Sequence, residues 1–203
     1  KLGAFSEECA TLLADASADI EDRIEETTEM LTEDVLKTVQ PMNLLFGHML
    51  QHCRGKNDED VVGVVQRFEP FITYLISKAP MHRFKVKMLI EAQRLAYGMG
   101  LPRLSPASAL LEVFFDGLYQ AEIIEEEYFN MWAIADDDTP GKTSAMFQVS
   151  DFLDFLRTAT VEGEESEEEV NEDGESENDE DEDEEEDDGS DIEANVPKRV
   201  GVR

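Results

Sequence analysis

The sequence predicts an all-α protein, with a domain of packed helical pairs over residues 1–160 and a disordered acidic tail over residues 161–203. Three observations lead to this prediction. Apolar residues in the first 160 positions recur at helical spacing in about eight segments, and no segment has the clear alternation of a strand. Short polar stretches separate those segments, as in stacked antiparallel helical hairpins. Beyond residue 160 apolar side chains almost disappear.

The N-terminal 40 residues predict two acidic helices, over 6–17 and 19–38, with thin apolar faces. Pro41 opens the next helix, because proline is well tolerated in the first helical turn. This helix carries His48 and His52 on the same face as several apolar residues.

The clearest helical pattern spans Val61–Ile76, where apolar residues recur at positions i, i+3 and i+4. Pro70 lies inside this pattern and should kink the helix or split it into two. Asn57 is predicted to cap the start of the pattern, and Pro80 is predicted to end it.

Residues 82–99 are apolar almost all round, which predicts a helix sandwiched between others. Two glycines and Pro102 should end this helix. Ser105 followed by Pro106 is a strong helix-start signal, and it predicts that the next helix begins there. Two further helices are predicted, with apolar faces formed by Ile124, Tyr128, Met131, Trp132 and Ala135, and by Met146, Val149, Leu153 and Leu156.

The charge distribution supports the division into domain and tail. The net charge is −32, and residues 161–203 hold 22 of the 49 acidic residues but 3 of the 17 basic ones. Asp179–Asp188 is an unbroken run of acids, which repels itself and cannot bury enough apolar area to fold. A small basic end, Lys198–Arg203, closes the chain and suggests no role.

Composition also excludes several classes of protein. A surface this acidic disfavours direct binding to duplex nucleic acid. No apolar run approaches the roughly 18 residues that a membrane-spanning helix needs. Cys9 and Cys53 could form at most one bridge, so this is not a disulfide scaffold. The chain begins at Lys1 rather than at methionine, which suggests a piece of a longer protein.

Gly141–Thr143 resembles the end of a phosphate-binding loop, but the full motif requires a further glycine five residues earlier. That position is Asp136, in a run of three aspartates that would repel a triphosphate. We therefore expect a turn between helices at this point.

A metal site is not expected either. His48 and His52 lie four residues apart on one helical face, beside Cys53, but zinc needs a third and a fourth ligand. The run Asp136–Asp138 does not have the spacing of a calcium-binding loop. No histidine has a recognisable catalytic context, and carboxylates are too abundant for any pair to stand out. We predict no enzymatic activity and no cofactor.

Acidic and aromatic residues are interleaved in two clusters near the end of the predicted domain. Carboxylates there would steer a basic, amphipathic peptide, and the rings would bury its side-chain stems or stack on lysine and arginine. Alternatively, the rings belong to the core and the acids to its wetted surface. We expect Trp132 to be partly buried. The predicted partner-binding residues are Glu125, Glu126, Glu127, Tyr128, Phe129, Trp132, Asp136, Asp137, Asp138, Asp151, Phe152, Asp154 and Phe155.

These clusters resemble a known family, the C-terminal aromatic/acidic-box HEAT domain (W-two domain) of translation initiation factors. Glu125–Trp132 is similar to its first box, an acidic pair followed by aromatics and tryptophan. Phe114–Tyr119 is similar to the "FFDALYD" helix of the factor 4 gamma branch, and Pro140–Val149 to the "PGKxxALFQV" stretch of its death-associated-protein relative. The second box usually reads F-x-x-W-L-x-x-A-E-E-E; here Phe155 replaces its tryptophan, and the acids begin late.

The resemblance implies a HEAT/ARM-like right-handed α-solenoid that acts as a protein-interaction module of a cytoplasmic translation initiation scaffold or regulator. Family members use the boxes to hold lysine-rich segments of factor 2 beta, subunits of factor 3 or, in the gamma branch, a protein kinase. The central bases form either a second binding face or ordinary solvated helix charge. These bases are Lys78, Arg83, Lys85, Lys87, Arg94 and Arg103.

A second hypothesis assigns the function to the tail. A long acidic segment is also typical of chaperones that sequester basic proteins such as histones or ribosomal proteins. The two hypotheses differ in whether partner binding depends on the folded domain or on residues 161–203.

Overall fold

The computed structural model describes residues 1–79, 83–135 and 138–168, with side chains described up to residue 159. All regular elements in these ranges are helices, apart from one isolated antiparallel bridge between Arg103 and Ala109. The all-α prediction is confirmed. The helices of the described ranges are α1 (Leu2–Ala14), α2 (Ile20–Glu29), α3 (Glu33–Leu36), α4 (Gln40–Cys53), α5 (Asp58–Arg67), α6 (Glu69–Lys78), α7 (Phe84–Gly98), α8 (Leu110–Gln120), α9 (Glu126–Ile134), α10 (Lys142–Gln148) and α11 (Ser150–Glu168).

The described residues form eleven helices rather than about eight, because three of the predicted helices are each divided into two. The second acidic helix becomes α2 and α3, the long apolar ladder becomes α5 and α6, and the last predicted helix becomes α10 and α11. Pro70 accounts for one division, since it lies in the first turn of α6, where its missing N–H costs nothing. The predicted split at Pro70 is confirmed.

Two other terminal signals behave as predicted. The Asn57 side chain accepts a hydrogen bond from the Asp60 N–H at 2.8 Å and so caps α5. After α7 ends, Gly100 adopts a φ of 80°, a left-handed conformation that favours glycine and stops the helix. The predicted stop at Pro80 lies outside the described residues, although α6 ends at Lys78.

The helix-start signal at Ser105-Pro106 was wrong, because α8 begins only at Leu110. The Ser105 hydroxyl accepts hydrogen bonds from the N–H groups of Ala107 and Ser108, as an N-cap would. The chain then closes into a turn, in which the Leu104 N–H donates to the Ser108 carbonyl at 3.0 Å. A serine cap motif therefore forms here without a helix behind it.

The helices pack in a repeating order. In one row α1 packs on α4, α4 on α7, and α7 on α9; in a second, α2 packs on α6 and α5 on α8. Consecutive helices α1 and α2, α4 and α5, and α7 and α8 connect the rows. One continuous core of buried apolar side chains extends from Phe5 in α1 to Leu156 in α11.

The contact between α5 and α8 is unusually close. A Cβ atom added to Gly117 would lie 3.2 Å from the Val65 side chain, so the absence of a side chain lets the two backbones approach. Because α5 and α8 pack this closely, the polar faces that they present beside the contact also lie close together.

The last helix extends past the predicted boundary of the domain. α11 continues to Glu168, although the composition changes near Thr160. The rest of the predicted tail lies outside the described residues. The division into residues 1–160 and 161–203 therefore stays a prediction.

Candidate functional site

The first acidic and aromatic cluster surrounds the start of α9. Glu125 is the N-cap residue, but its carboxylate makes no capping hydrogen bond to the helix. It instead accepts a hydrogen bond from Lys85 Nζ of α7, with a distance of 2.7 Å to Oε1. The same ammonium group lies 5.3 Å from the centroid of the Tyr128 ring. An internal lysine is therefore bound by one acid and one aromatic ring of this cluster.

This ion pair shifts the titration of Glu125. Partial burial raises the pKa of its carboxyl, but the hydrogen bonds from Lys85 and from the backbone outweigh burial, so the pKa lies below its ordinary value. Burial and the neighbouring carboxylates Glu127 and Glu125 raise the pKa of Tyr128. Glu126 and Glu127 lie in the first turn of α9, where negative charge is favoured by the helix dipole.

The aromatic residues of this cluster belong mainly to the core. Trp132 is fully buried, so the expectation of a partly buried Trp132 was wrong. Its indole N–H donates to Gln93 Oε1 at 3.0 Å, and its ring packs edge-on against Phe115 at 5.1 Å. Phe129 is also fully buried, between Phe115 and Phe152. Neither ring is exposed for contact with a binding partner.

The predicted apolar face of α9 was partly wrong as well. Met131 was assigned to the face of Trp132, yet it is 40% exposed, and Ile134 is 83% exposed. Phe129 and Trp132, three residues apart, form the buried face instead. A short helix with apolar residues all round does not show from its spacing which side is covered.

A second lysine of the chain contacts Trp132 of this cluster. Lys142 Nζ lies 4.1 Å from the centroid of the Trp132 ring and donates a hydrogen bond to the Trp132 carbonyl. Gly141, the N-cap residue of α10, has a φ of 82°, and a Cβ atom there would lie 2.3 Å from the Tyr97 ring. The sequence that resembles a phosphate loop thus seats a lysine against Trp132.

The second cluster lies on α11. Phe152 is buried against Phe129 and Tyr119, whereas Phe155 is half-exposed and touches the edge of Tyr119. Asp154 is exposed and pairs with Arg157 at 2.8 Å, and Asp151 is exposed. Asp138 is exposed, while Asp136 and Asp137 lie outside the described residues.

The structure reveals a groove that the sequence reasoning missed. It lies between the N-terminus of α5, one face of α8 and the start of α11, and its volume is about 440 Å³. Its lining includes three acids, here called its acidic wall (Asp58, Glu112 and Asp116), and three apolar residues, here called its floor (Val113, Phe152 and Phe155). Glu112, Asp116 and Gln120 recur every four residues along α8, which was the available signal. The neighbouring helices could not be identified from that stripe.

Burial affects both carboxylates of α8. It raises the pKa of Glu112, an effect that nearby Asp151 reinforces and Arg103 opposes. Burial also raises the pKa of Asp116, against the hydrogen bond that Gln120 donates at 2.7 Å. Negative charge is therefore costly in this groove.

Of the candidate metal ligands, His48 contacts another side chain of the fold and Cys53 is buried. His48 Nε2 lies 2.7 Å from Ser6 Oγ, and burial, together with Lys56 and Arg67, lowers the pKa of His52. Burial raises the pKa of Cys53 to about 11, so its thiol stays protonated. Among the described residues, no three His, Cys, Asp or Glu side chains are grouped to hold a metal ion.

Several of the central bases make contacts within the fold. Lys85 binds Glu125, Arg94 pairs with Glu91 at 2.8 Å, and Arg103 donates to the carbonyls of Ser105 and Pro106. Lys78 lies 4.7 Å from the centroid of the Tyr74 ring. A second binding face formed by these bases stays a prediction.

Comparison with known proteins gives a partial match. No protein-family model matches the chain. Over 90 residues, or 43% of its length, the chain is 41% identical to eukaryotic translation initiation factor 4 gamma 2 of Mus musculus, and equally so to the proteins of that name from Homo sapiens and Bos taurus. The match spans 9% of the length of these relatives. A region of the chain is thus similar to a translation initiation factor of the 4 gamma type. In the part of the chain that the structure describes, no helix has the length and apolar character to cross a membrane.

Proposed function

We propose that the chain is a protein-interaction module of a translation initiation scaffold or regulator of the factor 4 gamma type, and that it binds basic segments of other initiation factors. The observation that carries this proposal is the 41% identity over 90 residues to translation initiation factor 4 gamma 2. The name of this relative points to translation initiation, and the acidic C-terminal half of the chain favours a basic partner.

The packing order supports an assignment to the W-two type of solenoid. In such a solenoid each helical pair stacks on the next, so every second or third helix meets its counterpart in the following pair. The succession α1, α4, α7 and α9 along one row has this pattern. This order supports a HEAT/ARM-like solenoid, and we take its right-handedness from the family resemblance.

The partner surface consists of the solvent-facing members of the two acidic clusters, with the buried rings as their support. Glu127, Asp138, Asp151 and Asp154 are exposed. These carboxylates attract a lysine-rich segment and raise its association rate, an effect that salt screens over about 8 Å. The partners proposed are the lysine-rich segment of factor 2 beta, subunits of factor 3 or a protein kinase, met in the cytoplasm.

Two forms of the protein, with and without the acidic tail, test this proposal against the chaperone alternative. The full chain and a variant lacking residues 169–203 are titrated with the lysine-rich segment of factor 2 beta, and helicity is checked by circular dichroism. The proposal predicts that the shortened chain keeps most of its affinity at about 0.15 M salt. Complete loss of binding with intact helicity would assign the function to the acidic tail.

A charge reversal tests the surface itself. Changing Glu126 and Glu127 to lysine should slow association with the lysine-rich segment at low salt and lower the melting temperature only modestly, since it reverses two charges that the helix dipole favours. Equal charge reversal of Glu25 and Glu29, two exposed acids of α2, should slow association less. Unaltered association after the first reversal would remove α9 from the proposed surface.

A further inference from the structure

The groove between α5, α8 and α11, called the acidic groove from here on, combines an apolar floor with an acidic wall. A second hollow of about 370 Å³ adjoins it and shares Asp58, Val113, Asp116 and Gln120. Both hollows are lined by residues of α5 and α8. Two adjoining hollows along one helix suit an extended or helical segment rather than a small molecule.

The floor of the acidic groove leaves an aromatic ring uncovered. Phe155 is 50% exposed, although it follows Phe152, which is buried, by less than one helical turn. Its ring contacts Tyr119 edge-on at 6.3 Å, so one side is fixed by the core and the other is available. A half-exposed ring held at the floor of a concave surface is a typical anchor for an apolar side chain.

The acids of the acidic groove have neutral partners. Asp58 accepts a hydrogen bond from the Ser108 hydroxyl at 2.8 Å, and Asp116 accepts one from Gln120. Among the described residues that line the acidic groove and the adjoining hollow, none is a lysine or an arginine, although Arg103, outside this lining, lies close enough to Glu112 to oppose the rise of its pKa. The first cluster differs here, because it binds Lys85 and Lys142.

We propose that the acidic groove binds a basic amphipathic segment of a partner protein, with its apolar side chains against Phe155 and its lysine or arginine side chains against Glu112 and Asp116. This deepens the proposed function, on which it rests, by placing the apolar side chains of the partner in the acidic groove, beside the exposed carboxylates of the second cluster. Charge complementarity selects this occupant, since an acidic or purely apolar segment would leave the wall carboxylates uncompensated.

The geometry of α8 restricts the spacing of the bound cations. Glu112 and Asp116 are separated by one helical turn, or about 6 Å along the axis. Two lysines four residues apart on a helix, or two residues apart on an extended segment, match this distance. Partial burial raises the pKa of both carboxyls, and a bound cation would lower it again by stabilising the ionised form.

Two peptides of equal charge separate binding in the acidic groove from capture by the acidic tail. One is a lysine-rich peptide with leucines interleaved, and the other has glycine and serine in place of leucine. The full-length chain is titrated with each by calorimetry at physiological salt. The tail attracts both equally through charge, whereas the acidic groove should bind the amphipathic peptide about ten-fold more tightly, because its floor buries leucine.

Matched variants then show which residues cause the preference for the amphipathic peptide. Phe155→Ala should reduce it several-fold, and Phe147→Ala, which removes a 79% exposed ring on α10, should leave it unchanged. Glu112→Gln together with Asp116→Asn should weaken binding of the amphipathic peptide about ten-fold or more. Glu25→Gln together with Glu29→Gln removes the same charge from α2 and should have little effect.

Three results would overturn the proposal. Equal affinity of the two peptides would assign binding to charge alone. Wild-type affinity in the Glu112 and Asp116 variant, or an equal loss in the α2 control, would exclude the acidic groove as the site. If the chain lacking residues 169–203 still binds while these variants have no effect, the proposed function stands and only its location is wrong.

Discussion

The first cluster and the acidic groove have the same composition, but they differ in whether lysine side chains of the same chain bind their acids and rings. Both place carboxylates beside aromatic rings near the end of the fold. In the first cluster Lys85 pairs with Glu125 at 2.7 Å and Lys142 lies over the Trp132 ring, so the fold supplies its own cations. In the acidic groove Asp58 and Asp116 accept hydrogen bonds from neutral groups, and Phe155 is half-exposed.

The difference shows that acidic and aromatic composition does not by itself identify a binding surface. The same lysine–carboxylate–ring chemistry that would capture a partner instead joins α7 to α9 and α10 to α9 in the first cluster. In the acidic groove Asp58 and Asp116 accept hydrogen bonds from neutral groups instead, so their negative charge stays available to a partner.

The largest effect is expected from removing the ring that the first cluster buries. Trp132→Ala should lower the free energy of unfolding by about 3–5 kcal/mol, because it deletes a fully buried indole and leaves the Gln93 amide without its donor. Urea denaturation measures this. Phe147→Ala, at an exposed ring, should change stability by less than about 0.5 kcal/mol. Equal small effects for both variants would mean that Trp132 is not part of the core.

A smaller effect is expected at the turn that presents Lys142. Gly141→Ala should destabilise the protein by about 1–3 kcal/mol, because alanine strains a left-handed backbone and its Cβ would meet the Tyr97 ring. Thermal unfolding measures the loss. Gly63→Ala is the control, since nothing lies within 4 Å of a Cβ there and φ is ordinary. A neutral Gly141→Ala would show that this turn does not hold α10 in place.

The ion pair of the first cluster should contribute little to stability. Lys85→Met should cost less than about 1 kcal/mol, because the Glu125 side chain is 57% exposed and solvent screens the pair. The pKa of Glu125 should rise towards its ordinary value, which carbon-detected NMR can follow. An unchanged pKa would contradict the assigned contact.

The pH dependence of the two regions should have opposite signs. The pKa of Glu125 is lowered in the folded state, so its contribution to stability is present at neutral pH and is lost as the pH falls through that folded pKa. Glu112 and Asp116 have raised folded pKa values, so their contribution is present below the unfolded pKa and is lost as the pH rises through the folded values. Comparing stability curves of Glu125→Gln and Asp116→Asn with wild type measures both signs. Curves displaced in the same direction would contradict the contrast.

The sequence predicted the positions of the helices better than it predicted which faces of the helices are buried. Pro70, Asn57 and Gly100 act through local backbone chemistry, and their effects appear where predicted. The Ser105 signal was misread because its local hydrogen bonds are the same in a tight turn and at a helix start.

The candidate site could be predicted only in part, because burial depends on contacts between distant segments. Trp132 is buried by Phe115 and Gln93, from two other helices, and no periodicity in α9 records them. Similarly, the acids of α8 form a visible stripe, but only the packing of α5 and α11 beside them creates the acidic groove.

We propose that an external basic segment enters the acidic groove, whereas the lysine contacts of the first cluster hold helices of the fold together. Backbone amide shifts of the nitrogen-labelled full-length chain, recorded during titration with the leucine-containing lysine-rich peptide, test it most directly. We expect the largest shifts along Glu112–Gln120 of α8 and around Phe155 of α11, with smaller shifts at Tyr128–Trp132. Large shifts confined to Tyr128–Trp132, with α8 and α11 unaffected, would contradict it.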